Sequence, residues 1–257
     1  MPTTPVLFVG HGSPMNVILD NAWTRTFNDL GAALPTPRAI LAVSAHWYTR
    51  GTFVTAGDPP TIHDFGNFPR QLFEFEYPAR GSDDVARRVC ELLTSVKAAP
   101  RRDWGLDHGT WTVLHHMVPR ADVPVLQLSI DQQRPPAEHL AIGRALAPLR
   151  EEGPDPRQRQ RHAQPARDHA ARAARRHLAA GVGAAVRRRR GPGHRAARPR
   201  IPRARPRGAL GRQNHPSLDH YLPLLYTVGA AGEAEAPRFF NPGFDLGSIS
   251  MRGVLFG

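Results

Sequence analysis

The sequence predicts an α/β fold: a single domain with a mixed or parallel central sheet flanked by helices. Three observations carry this reading. Short apolar runs recur at 6–9 and 39–44, and 123–130 (VPVLQLSI) reads as another buried strand. Stretches with helical spacing or caps alternate with them, at 21–33, 85–93 and 138–151. The chain has 257 residues, enough for one large domain with a substantial core.

The first run ends in Gly10-His11-Gly12-Ser13-Pro14. Two glycines let the backbone turn sharply. His11 is thereby set at the carboxyl edge of the sheet, where α/β proteins place ligands. The second run delivers Ala45-His46-Trp47. With 21–33 as a crossover helix, the two runs become adjacent parallel strands and the two histidines can meet. They read either as a shared metal site or as one turn histidine and one core histidine.

Residues 47–56 alternate loosely, as a strand does. The loop after Pro59-Pro60 reads Thr61-Ile62-His63-Asp64-Phe65-Gly66-Asn67-Phe68-Pro69. Long aromatic and polar loops often carry function. His63 either touches a ligand there or bonds Asp64 or backbone. Ser82 or Asp83 caps the next helix, with Asp84 in its first turn. Cys90 lies in that helix and reads as a small buried hydrophobe; a lone thiol forms no internal disulfide. Then comes Leu106-Asp107-His108-Gly109-Thr110-Trp111, with Thr110 as a plausible cap for a helix at 111–117. His108 precedes a helix N-terminus, where the dipole disfavours the imidazolium. A neutral imidazole there suits proton transfer. His115 and His116, inside the helix, are expected to be structural. From His215, a loop enters an apolar helix, and 239–252 suggest a closing strand.

No apolar stretch approaches the ~18 residues that a membrane span needs. The first strand follows the N-terminus with no apolar leader, so a cytoplasmic protein without membrane partners is expected. The net charge of +12 invites a nucleic-acid reading. Its distribution argues otherwise. Residues 154–212 hold 18 arginines, no lysine and two aspartates; without them the net charge is −4. That segment has no aromatic side chain for base stacking, so its expected phosphate affinity is unspecific.

GHGSPMN, SAHW, PPTIHDFGNFP, GLDHGTW, PVLQLSID and HPSLDHYLPLLY with a closing SMR resemble the class III extradiol ring-cleavage dioxygenases, in particular their 4,5-DOPA dioxygenase subgroup. The resemblance covers 5–152 and 213–252. It implies an α/β fold of that type, with one domain over 1–257. It implies one Fe(II), or Zn(II), per chain, with O2 as co-substrate and a small-molecule catechol as substrate. By motif, His11, His46 and His220 are the implied metal ligands, and His63 and His108 the implied catalytic residues of the substrate pocket. The implied reaction opens the ring beside the hydroxyls and gives a muconic semialdehyde.

The same resemblance implies a further strand with a GSGN-x-x-HN motif after the helix at 138–151. This sequence lacks it. In its place, 153–212 carry only five large apolar residues: Leu178, Val182, Val186, Ile201 and Leu210. Such a composition cannot build a core, and Pro154, Pro156 and Pro165 oppose a central strand. The expectation is poorly packed coil, most helical at 166–180, and a gap in the sheet. Back-translating 153–171 with permitted codons and reading one base later allows VLILGSGNVTHNLREITP, which restores the strand and the motif. We read 154–212 as a compensated frameshift. It leaves open a metal-binding chain of the same fold without turnover.

Overall fold

The computed structural model describes residues 3–151 and 217–257. The arginine-rich segment, with the coil, helix and strand gap expected of it, lies outside the described residues. Among the described residues, no helix is long and apolar enough to cross a membrane.

Two sheets frame the molecule. The first has the order β2-β5-β3-β4, built from β2 (Ile40–Thr49), β3 (Phe53–Thr55), β4 (Ala99–Arg101) and β5 (Val125–Asp131). Every residue of β5 is buried, the polar Gln127, Ser129 and Asp131 included, and each of these three is hydrogen-bonded. It pairs parallel with β2 and antiparallel with β3, so the sheet is mixed. The second sheet joins β1 (Val6–Phe8), β9 (Gly253–Phe256) and β6 (Arg238–Phe240), all antiparallel. A small hairpin, β7 (Phe244–Asp245) with β8 (Ile249–Ser250), precedes β9.

This corrects three expectations. Among the described residues β1 pairs only with β9 and β2 only with β5, so the strands that carry the first two histidines are not paired neighbours. The closing strand is 253–256, just beyond the stretch expected. And β2 does not stop before His46 but runs through it to Thr49, with a register shift between Val43 and Tyr48. A bulge of this kind bends a strand and re-aims its side chains.

The helices are α1 (Ala22–Ala33), α2 (Arg70–Phe73), α3 (Asp83–Leu92), α4 (His108–Met117), α5 (Pro136–Leu146) and α6 (Leu222–Ala230). Ser82 caps α3. The cap of α4 is Asp107, not Thr110: its carboxylate accepts from the Thr110 backbone N–H, while the Thr110 hydroxyl donates to Gln127. Moving the cap back makes His108 the first helical residue. Beyond Leu146 the chain tightens into a 3-10 turn at Ala147–Arg150, because Pro148 cannot continue an α-helix.

The main core packs Leu126, Leu128 and Ile130 of β5 against Ile142, Leu222 and Leu225 of α5 and α6. These helices touch backbone to backbone. A Cβ on Gly143 would stand 2.4 Å from the Tyr226 carbonyl oxygen, and one on Gly229 2.4 Å from that of Leu140. The Thr227 hydroxyl donates to the Leu7 carbonyl over 3.1 Å, which ties α6 to β1. This contact brings the segment before α6 alongside the turn after β1, and so sets His220 beside His11.

Candidate metal centre

His11 sits in the turn after β1. Gly12 has φ +66°, and a Cβ there would stand 2.6 Å from both Asn16 Nδ2 and Asp245 Oδ2, so glycine alone fits. Asn16 Nδ2 donates to the His11 carbonyl at 3.2 Å and to Asp245 Oδ2 at 3.1 Å. Asp245 Oδ2 also accepts from the Ser13 backbone N–H at 3.0 Å. The β7–β8 hairpin thus clamps the loop that carries His11.

His46 sits in the bulge of β2. Its backbone N–H donates to Ser44 Oγ at 3.2 Å, and Ser44 Oγ donates to Asp107 Oδ1 at 2.7 Å. Asp107 is fully buried and also accepts from Gln127 of β5. Burial pushes its carboxyl up to about 6, against the pull of the Ser44 and Gln127 hydrogen bonds. His220 precedes α6, with Nδ1 3.1 Å from Asp219 Oδ2. His108 opens α4.

These four histidines converge. His46 Nε2 lies 3.2 Å from His11 Nε2. One nitrogen each from His11, His46 and His220 all lie within 4.8 Å of one another. The His108 ring stands 4.0 Å from that of His46 and 5.1 Å from that of His11. Asp64 joins the group: Oδ1 accepts from His108 Nδ1 at 2.9 Å and from its backbone N–H at 3.0 Å, and Oδ2 faces His46 Nδ1 at 3.5 Å.

Burial drives the His11 pKa well below its usual value, and repulsion from His46, His108 and His220 adds to this. Burial likewise brings His46 down to about 4, helped by His108 and opposed by Asp64. Both imidazoles are therefore neutral at pH 7, the form that ligates metals. Burial alone would raise the Asp64 carboxyl, but the hydrogen bonds from His108 outweigh it and hold the group at about 2.

The residues fit a cation. His11 Nδ1 is buried without a hydrogen-bond partner, and Nε2 has only another neutral imidazole before it. A buried polar pair of this kind lacks its full complement of bonds. Its 3.2 Å spacing matches the ~3.3 Å edge of a tetrahedron with ~2.0 Å metal–nitrogen bonds.

His63 is set apart. Its Nε2 lies 3.0 Å from the Phe75 carbonyl oxygen and donates to it. Its ring packs on Phe65, Phe73 and Trp111. Phe65 in turn stands 5.6 Å from the His108 ring, between the two histidines. Asp64 does not partner His63, as its neighbouring position suggested. Its partners lie 18 and 44 residues away, and no local pattern discloses them. Asp107 and Gln127 were missed for the same reason.

Residues 7–157 match the family described as the catalytic LigB subunit of aromatic ring-opening dioxygenase. The chain belongs to the LigB family. This LigB-family chain is an extradiol dioxygenase by class, and its relatives agree. It is 42% identical over 265 residues to the protein named 4,5-DOPA dioxygenase extradiol from Escherichia coli (strain K12), covering 98% of this chain and 94% of that protein. A protein of the same name from Beta vulgaris is 41% identical over 155 residues, 57% of each chain. A crystal structure of an uncharacterized protein from Escherichia coli K12 superposes with a TM-score of 0.68 at 35% identity, over 99% of this chain and all of that one. The matched residues 7–157 include His11, His46, His63, Asp64 and His108, and they end just inside the arginine-rich segment.

Proposed function

We propose that this chain cleaves a DOPA-like catechol with O2, breaking the ring bond beside the two hydroxyls, at one metal ion held by His11, His46 and His220. The observation that carries the reading is the convergence of four imidazoles from four separate segments, with Asp64 behind two of them. The names of the relatives supply the substrate class.

Bound there, Fe(II) supplies a centre at which catechol oxygens and O2 exchange electrons; Zn(II) fits the same donors without redox chemistry. The chain's own residues do the rest. His108 keeps Nδ1 on Asp64, so Nε2 is the nitrogen offered to a catechol hydroxyl proton. Phe65 and Trp111 give the aromatic ring an apolar wall beside His108. His63, with Nε2 committed to Phe75, shapes that wall from behind Phe65. Holding both reactants against one histidine set supplies orientation, a large share of the acceleration in such reactions. One O2 and one catechol give one muconic semialdehyde, with both oxygen atoms retained.

The test is oxygen uptake by the Fe(II)-loaded chain with a catechol, with the product identified by mass. Uptake equal to catechol consumed supports the reading; metal bound without uptake favours the second one. That second reading, a metal-binding chain without turnover, follows from the missing GSGN-x-x-HN motif.

A further inference from the structure

We propose that Asp64 is a positioning residue that sets the ring tautomers of His46 and His108 together, one carboxylate oxygen to each. The inference rests on the proposed function only for the roles of the two histidines.

The geometry is specific. Asp64 Oδ1 accepts twice from His108, from the ring at 2.9 Å and from the backbone at 3.0 Å. Oδ2 is thereby turned toward His46 Nδ1, 3.5 Å away. The carboxylate is largely shielded, with a side chain only 17% exposed. An anion facing both Nδ1 atoms places the single ring proton of each neutral imidazole on Nδ1. Each Nε2 is then a bare lone pair. That of His46 is aimed at His11 Nε2, and that of His108 belongs to a ring 4.0 Å away. The opposite tautomer would put a proton where a metal or a substrate hydroxyl has to come.

The loop is built to hold Asp64 still. The Ile62 backbone N–H donates to the Leu106 carbonyl at 2.9 Å, and that of Leu106 to the Pro60 carbonyl at 2.8 Å. Trp111 Nε1 donates to the Ile62 carbonyl at 3.1 Å. The Asp64 loop is stitched to the start of α4, and carboxylate and imidazole are fixed to one frame. One carboxylate thus serves two tasks, ligand basicity and proton transfer, and couples them. Carboxylates behind metal-bound histidines typically matter by about 10–100-fold in affinity.

The substitution Asp64→Asn separates the two arms. His108 presents two donors to Oδ1, so the introduced amide keeps its carbonyl there and turns its NH2 toward His46. A donor facing Nδ1 forces the His46 proton onto Nε2, while His108 keeps its own on Nδ1. The experiment is long-range proton–nitrogen NMR of the full chain with 15N-labelled histidine, treated with chelator, at pH 7.5. In the unsubstituted chain both rings should show Nδ1–H. In Asp64→Asn, His46 alone should invert, and Zn(II) affinity should fall by about tenfold or more. Asp64→Ala should release both rings. Amide dispersion in the same spectra reports that each variant is folded. Two results overturn the proposal: His46 unchanged in Asp64→Asn, or a second Zn(II) bound per chain through Asp64 itself. The tautomer readout needs neither metal nor turnover, so it stands or falls apart from the proposed reaction.

Discussion

Gly109→Ala should separate metal binding from folding. Gly109 is the second residue of α4, and its α-carbon faces the bulge of β2. An added Cβ would stand 2.8 Å from His46 Cδ2, 3.3 Å from His46 Nε2 and 3.3 Å from Asp107 Oδ1. Ordinary contact begins at 3.4 Å, so the imidazole must retreat by about 0.6 Å. The ring is the far end of a side chain, so the fold absorbs the move cheaply. The site does not: a ligand displaced on this scale should weaken metal binding by about 10–100-fold, or roughly 1.4–2.7 kcal/mol. Alanine is meanwhile the better helix former, by up to about 1 kcal/mol. The chelator-treated variant should therefore melt no lower than the parent, while calorimetric titration shows Zn(II) affinity sharply reduced. Unchanged affinity would refute the reasoning, since His46 would then not be a ligand. A drop of more than about 2 kcal/mol in metal-free stability would also refute it, because the clash would then be borne by the backbone.

Other outcomes follow from the same site. The folded pKa of His46, about 4, lies below its ordinary 6.5, so between those values the unfolded chain binds a proton that the folded chain refuses. Stability is then full above pH 6.5 and falls by about 3 kcal/mol as the pH drops toward 4. Asp64 extends the loss, its contribution present above 3.8 and lost as the pH nears 2. Chelator-treated denaturation curves at pH 7.5, 5.5 and 4.5 check the sign; a flat profile contradicts it. Gly12→Ala forces a left-handed residue against Asn16 and Asp245, and should cost both stability and metal, seen in melting and titration. Deleting one base near codon 153 and restoring one near codon 212 should raise soluble yield. It should also raise turnover by about 10²-fold or more, through the recovered histidine. A chain already monodisperse and as active as its restored form would end the frameshift account.

The apolar runs made β1 and β2 legible, and Gly10 and Gly12 the His11 turn, because both are local signals; the strands themselves are mostly half-buried. Ser82 and the apolar α6 were legible through local capping and composition. The partner of β1 was not, since β9 lies at the other end of the chain and nothing local encodes that pairing. The bulge that aims His46 was hidden because its sequence continues the strand. His220 rested on resemblance alone: an exposed histidine before a helix carries no signal of its own until α6 is docked on β1. Of the partners open to His63, the backbone one holds, at the Phe75 carbonyl, while the partners of Asp64 are distant in sequence and no local pattern discloses them.

The central claim is ring cleavage at the His11–His46–His220 centre, and labelled oxygen tests it most directly. The chain, loaded with one Fe(II), is given a DOPA-like catechol under 18O2, and the product is analysed by mass and fragmentation. The account predicts one O2 consumed per catechol, both labels in a single product opened beside the hydroxyls, and none of this in His11→Ala. Cleavage between the hydroxyls, or iron bound at these histidines with no oxygen consumed, would contradict it.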